Sequence, residues 1–197
     1  MSKRIALLSA AAVGALILTS AVVAPVSAQE KTVMVGGAAM FPSKNIIQNA
    51  VNSKDHTTLV AAVKAAGLVD TLEVKGPFTV FAPTNAAFGK LPAGTVDNLV
   101  KPENKATLTK ILTYHVVAGK LEASDLTDGK KLKTVEGEEL TVKNAGGKVT
   151  IIDAKGDASM VTISNVNQSN GVIHVVDTVL TPASGRYRPR GSQHSTG

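Results

Sequence analysis

The sequence changes character near its midpoint, and that change constrains the fold more than any other feature. Ten Ala residues lie in positions 43–112 but only three in 131–180, where Val, Ile and Thr supply 18 of 50 residues. Helix-forming sequence gives way to β-branched, strand-forming sequence. Segregated halves of this kind point to an α+β arrangement. No segment repeats, so the two halves belong to one domain.

Local signals fill in both halves. Ile46, Ile47, Ala50 and Val51 recur at helical spacing behind a possible Ser43 cap, and Asp55 can cap a second helix with Leu59, Ala62, Val63 and Ala66 on one stripe. Gly67 stands where a left-handed C-terminal residue is wanted. Pro102 suits the first turn of a further helix that buries Leu108, Ile111 and Leu112. Within this half, Phe78–Phe81 reads as a short strand that stops at Pro83, and Thr84 can cap a short helix carrying Phe88. The later half predicts strands at Lys131–Val135, Glu139–Lys143, Lys148–Asp153, Met160–Ser164 and Val172–Leu180. Asn144–Gly147, Lys155–Asp157 and Asn167–Gly171 supply the turns.

Composition narrows the chemistry. The 197 residues include no Cys and no Trp, which excludes disulfide scaffolds, zinc-thiolate sites and thiol nucleophiles. Aromatics are 3%, so the core is aliphatic; 44% hydrophobic against 18% charged residues excludes disorder throughout. The net charge of +6 belongs to the ends. Setting aside Lys3, Arg4, Arg186, Arg188 and Arg190 leaves 16 basic residues against 15 acidic. A nearly neutral body gives no ground for a nucleic-acid partner.

The ends differ from the body. Residues 1–28 have the form of an export signal: Lys3 and Arg4, an uncharged run Ile5–Val23, then Val26-Ser27-Ala28 as a small-residue cleavage site. The 19-residue run reaches the lower limit for a membrane span, but the cleavage site follows it directly, so the membrane is met only through the transient signal. Residues 29–42 read as a linker and 183–197 as a flexible basic tail.

Three motifs stand in order across the region between. Phe78-Thr79-Val80-Phe81-Ala82-Pro83-Thr84-Asn85-Ala86-Ala87-Phe88 resembles the first signature of fasciclin domains, and Gly171-Val172-Ile173-His174-Val175-Val176-Asp177-Thr178-Val179-Leu180-Thr181-Pro182 resembles the second. Between them, Tyr114-His115 is similar to the family's Tyr-His motif. The resemblance implies a fasciclin domain over residues 43–182, a wedge made of a two-sheet β-sandwich of about seven strands flanked by short helices. It makes Phe78, Thr79, Phe81, Ala82, Pro83, Thr84, Asn85, Phe88, Gly171, His174 and Asp177 parts of the scaffold. For Tyr114 and His115 it implies both packing and a role in adhesion, so both are partner-binding candidates.

No catalytic motif accompanies this pattern. The chain has no Gly-x-Ser-x-Gly elbow, metalloprotease helix, phosphate loop or dinucleotide fingerprint, and His56, His115, His174 and His194 are not paired at metal-ligand spacing. Glu136-Gly137-Glu138-Glu139 reads as a solvated hairpin, since three acids do not define a cation shell. Lys155-Gly156-Asp157 resembles the basic-Gly-acid turns that adhesion receptors read, and these three residues join the partner-binding candidates. The expectation is a secreted or periplasmic, monomeric adhesion module, not an enzyme. It needs no cofactor or metal, and it binds cell-surface or matrix proteins or polysaccharide. A glycan or small-ligand domain without adhesion is the alternative, and a hydrolase with an unmarked Ser–His–Asp set a minor one.

Overall fold

The computed structural model describes residues 31–183. The signal expected at 1–28 and the tail from residue 184 onward lie outside the described residues. The first elements correct an expectation. Strands β1 (Val33–Val35) and β2 (Ala38–Met40) form an antiparallel hairpin within the stretch 29–42 read as linker. Gly36 and Gly37, both at positive φ (57° and 76°), make the two-residue turn that pairs the short apolar runs. Val35 and Met40 are buried in the core.

Helix α1 (Ile46–Ala50) is capped by Asn45 rather than Ser43: Asn45 accepts from the Gln48 N–H, and Gln48 reaches back to the Asn45 N–H. A 3₁₀ turn at Lys54–His56 precedes α2 (Thr57–Ala66), so Asp55 falls inside that turn instead of capping the helix. Gly67 ends α2 with φ 71°, as its position predicts. There follow α3 (Val69–Glu73), β3 (Phe78–Pro83), α4 (Asn85–Gly89), α5 (Thr95–Leu99) and α6 (Lys105–Tyr114), the last preceded by a 3₁₀ turn that starts at Pro102. The strand half holds β4 (Val116–Ala118), β5 (Lys131–Lys133), β6 (Glu139–Ala145), β7 (Lys148–Ile152), β8 (Ala158–Gln168) and β9 (Gly171–Val176).

Seven strands form one sheet in the order β4-β3-β9-β8-β7-β6-β5, antiparallel except for the β3–β9 pair. The expected two sheets are two halves of this sheet that share β8. Register shifts near Ile163, with Asn165 at φ 57°, bend β8 and turn the corner. The sheet curls until Val117 of β4 meets Thr134 just beyond β5. Two cores result. One lies between the helices, the hairpin and the β3–β9 region, with Ile46, Leu59, Val63, Phe88, Ile111 and Val175. The other fills the curl, with Phe81, Tyr114, Leu126, Leu140, Ile151 and Val176. Each such side chain contributes about 1.5–3 kcal/mol by leaving water, which is how a chain without cysteine holds this α+β fold. Among the described residues no helix is long and apolar enough to cross a membrane.

Candidate functional site

The two signatures lie side by side because β3 and β9 pair in parallel, Phe81 opposite His174 and Pro83 opposite Val176. Gly171 sits where β9 starts: a Cβ there would collide with the Phe78 carbonyl, so this approach admits only glycine. Thr79 donates to the Gly119 carbonyl at 2.6 Å and accepts from the Leu121 N–H at 2.8 Å. Phe81 stacks on His174 with centroids 5.7 Å apart. Ala82 and Pro83 are buried at the end of β3, and Thr84 caps α4 through the Ala87 N–H at 3.2 Å. Asn85 replaces the cap that α2 lacks, accepting from the Thr58 N–H at 3.0 Å and donating to the Lys54 carbonyl at 2.8 Å. Phe88 fills the helical core. Asp177 accepts from the Met160 N–H and lies 3.6 Å from Lys90 Nζ.

The histidines are held by backbone and side-chain hydrogen bonds. His115 Nδ1 donates to the Ile111 carbonyl at 2.7 Å, and Nε2 accepts from the Leu180 N–H at 2.9 Å. His174 has the opposite tautomer, donating from Nε2 to Leu121 and accepting at Nδ1 from Asn165, as these partners require. Burial lowers the pKa of His115 to about 4 and also lowers those of His174 and His56, so all three are neutral near pH 7. His56 bonds Ser53 Oγ at 2.9 Å, but both side chains are buried, which leaves this Ser–His pair without access to substrate.

Tyr114 and His115 are 0% and 2% exposed. Of the two roles the sequence left open for them, this burial supports packing, and in this conformation neither presents a contact surface. Lys155, Gly156 and Asp157 are the reverse case, with all three exposed on the turn between β7 and β8.

The Tyr-His motif and this turn are one structure. The Tyr114 hydroxyl donates to the Glu139 carbonyl at 3.2 Å and accepts from the Ala154 N–H at 2.8 Å, and burial raises its pKa to about 12. Asp153, buried beneath the turn, completes the hold. Its Oδ1 accepts from the Lys155 and Asp157 N–H groups at 2.9 Å each, while Oδ2 accepts from the N–H and hydroxyl of Thr181 at 3.0 and 3.2 Å. The Gly156 N–H donates to the Asp153 carbonyl at 3.0 Å, with Gly156 at φ 91°. Every backbone N–H from Ala154 to Asp157 is thereby paired, leaving the Lys155 and Asp157 side chains displayed on a fixed loop.

The sequence reading missed Asp153 and Thr181. The signal was there: Asp four residues before a second Asp, with Gly between, is an Asx-type turn. The carboxylates of the 136–139 hairpin are engaged locally. Glu136 accepts from the Glu138 N–H, Glu138 from the Ala183 N–H, and Glu139 stands 3.6 Å from Lys131 Nζ.

A two-signature scaffold, a curled mixed sheet and helices packed on one side define a class that comparison with known proteins identifies. The Fasciclin domain model matches residues 54–182, and the chain belongs to the fasciclin domain family. It is 46% identical to Protein sll1483 of Synechocystis over 168 residues, covering 85% of this chain and 90% of that protein. It is 41% identical to Immunogenic protein MPB70 of Mycobacterium bovis over 138 residues, 68% of this chain and 66% of that one. Its fold is similar to that of a FAS1 domain pair from the insect cell adhesion molecule Fasciclin I, with a TM-score of 0.65 and 19% identity over 74% of this chain and 53% of that one.

Proposed function

We propose that this chain is an exported adhesion module that binds protein partners on a cell surface or in a matrix through the turn Lys155-Gly156-Asp157. The observation that carries the reading is the pairing of exposure with rigidity. Three exposed residues, two of them of opposite charge, sit on a loop whose backbone is locked by Asp153, Tyr114 and Gly156 itself. A loop fixed before binding loses little entropy when it docks. Tyr114 and His115 then act on adhesion from beneath, by holding the platform. Family membership supports the class of function, and the signal expected at residues 1–28 supports export.

The alternative, a glycan or small-ligand domain without an adhesion role, calls for an open groove with Tyr114 exposed, and the burial of Tyr114 weighs against it. The test is binding of the purified exported chain to cell and matrix surfaces before and after those surfaces are stripped with protease. Loss of binding on stripping is expected. Binding that survives complete removal of surface protein would refute a protein partner.

A further inference from the structure

The outer face of β5, β6 and β7 carries a feature that the adhesion reading does not use. Leu132, Leu140, Val142, Val149 and Ile151 point into the curl, so their neighbours point out. The register places Lys133 opposite Glu139, Lys131 opposite Thr141, and Lys148 opposite Ala145, with Lys143 midway between those last two rows on β6. Each two-residue step along the ladder therefore meets a new lysine, in the order Lys133, Lys131, Lys143, Lys148. Neighbouring Cα atoms are about 7–8 Å apart, and the diagonal runs about 20 Å from β5 to β7. All four side chains are exposed. Among the described residues the ion pair that they form is Lys131–Glu139, at 3.6 Å.

This diagonal starts at a groove. Where β4 and β5 splay apart, an open recess of about 460 Å³ is lined by Val117, Leu121, Leu132, Lys130, Lys131 and Lys133 among others, with no carboxylate in its wall. The face is thus a line of evenly spaced positive charge that runs out of a basic groove.

We infer that this groove and lysine diagonal form a binding site for an acidic polysaccharide, separate from the Lys155–Asp157 turn. Charge complementarity names a polyanion, and three features favour a glycan. Among the described residues no aromatic ring stands on this face to stack a base, which weighs against a nucleic acid. Strands β6 and β7 are paired on both edges, so along the diagonal beyond the terminal strand β5 recognition falls to side chains and not to a free backbone edge. Thr141 and Thr150 stand between the lysines, offering hydroxyls as donors and acceptors to sugar hydroxyls. Flexible ammonium groups then follow carboxylates repeated along the polymer.

The test is binding of the purified exported chain to immobilised polygalacturonate, with dextran, polyglutamate and single-stranded DNA as competitors. The wild type is expected to bind polygalacturonate in a salt-sensitive manner, with dextran and the other polyanions competing poorly. The triple variant Lys133→Gln, Lys143→Gln, Lys148→Gln is expected to bind about tenfold more weakly at an unchanged melting temperature, since each exposed charge pair contributes a factor of about 1.5–5. The tail variant Arg186→Gln, Arg188→Gln, Arg190→Gln is the control for non-specific attraction and is expected to bind as the wild type does. Asp157→Ala should also leave polygalacturonate binding intact, which separates this site from the turn. Absence of binding at low salt, loss in the tail variant but not in the lysine variant, or equal competition by polyglutamate or DNA would each overturn the proposal.

Discussion

Replacing Tyr114 by Phe separates the two roles that a Tyr-His motif can have. Phe keeps the ring that packs with Phe81, Leu140 and Ile151, so the core volume is preserved. Only the hydroxyl is lost, and with it the bonds to the Glu139 carbonyl and the Ala154 N–H. An orphaned, fully buried backbone group costs about 1–3 kcal/mol. Both groups here are part-buried and water recovers some of that, so the loss for the pair is about 2 kcal/mol. In a domain of this size that lowers the melting temperature by about 4–8 °C. Urea unfolding reads the stability, and amide exchange at Ala154 and Lys155 reads the turn. Exchange should accelerate at those two amides first, because their loop has lost its anchor. Surface binding should fall only modestly. A Tyr114→Phe protein as stable as the parent, with Ala154 exchange unchanged but surface binding abolished, would refute this reasoning and make the hydroxyl a direct contact.

Three further outcomes follow from the geometry. His115 has a folded pKa of about 4 against 6.5 when unfolded, so its stabilising effect is complete above pH 6.5 and is lost as the pH falls. Urea midpoints taken down a pH series should record a decline of about 3 kcal/mol by pH 4 from this group, and a flat profile would contradict a buried neutral imidazole. Gly171→Ala forces a Cβ against the Phe78 carbonyl and should cost about 1–3 kcal/mol or prevent folding, as read from soluble yield and thermal unfolding; a fully stable variant would show that β3 and β9 can move apart. Asn85→Ala removes the cap that α2 borrows from the β3–α4 turn and should cost about 1 kcal/mol in urea unfolding, with faster exchange at the Thr58 amide.

The signatures were legible because each residue answers a local need: Gly171 a close approach, Thr84 a helix cap, Val172–Val176 burial on both faces of β9. Strands β5–β7 could be read from their alternation. The span of β8 could not, since its bends shift the register and scatter Ser164, Asn165 and Asn167 through an 11-residue strand. The β1–β2 hairpin was hidden because runs of three residues carry too little periodicity to stand out from a linker. The α2 cap shows another limit: its donor of the capping oxygen, Asn85, lies 27 residues beyond the N–H it serves. The candidate site failed in the same way. Tyr114 and the Lys155–Asp157 turn were read as separate candidates, and only the fold shows one bonded to the base of the other through Ala154.

The proposed contact is the locked turn, and the residues beneath it make the lock. It is tested most directly by the dissociation constant of Asp157→Ala for a cell or matrix surface that the wild type binds, measured beside its melting temperature. The Asp157 side chain is exposed and its backbone N–H, which alanine keeps, is what meets Asp153. Binding should weaken by about tenfold or more, the mark of a residue central to an interface, with the melting temperature unchanged. Binding equal to wild type in a variant that folds as stably would contradict it.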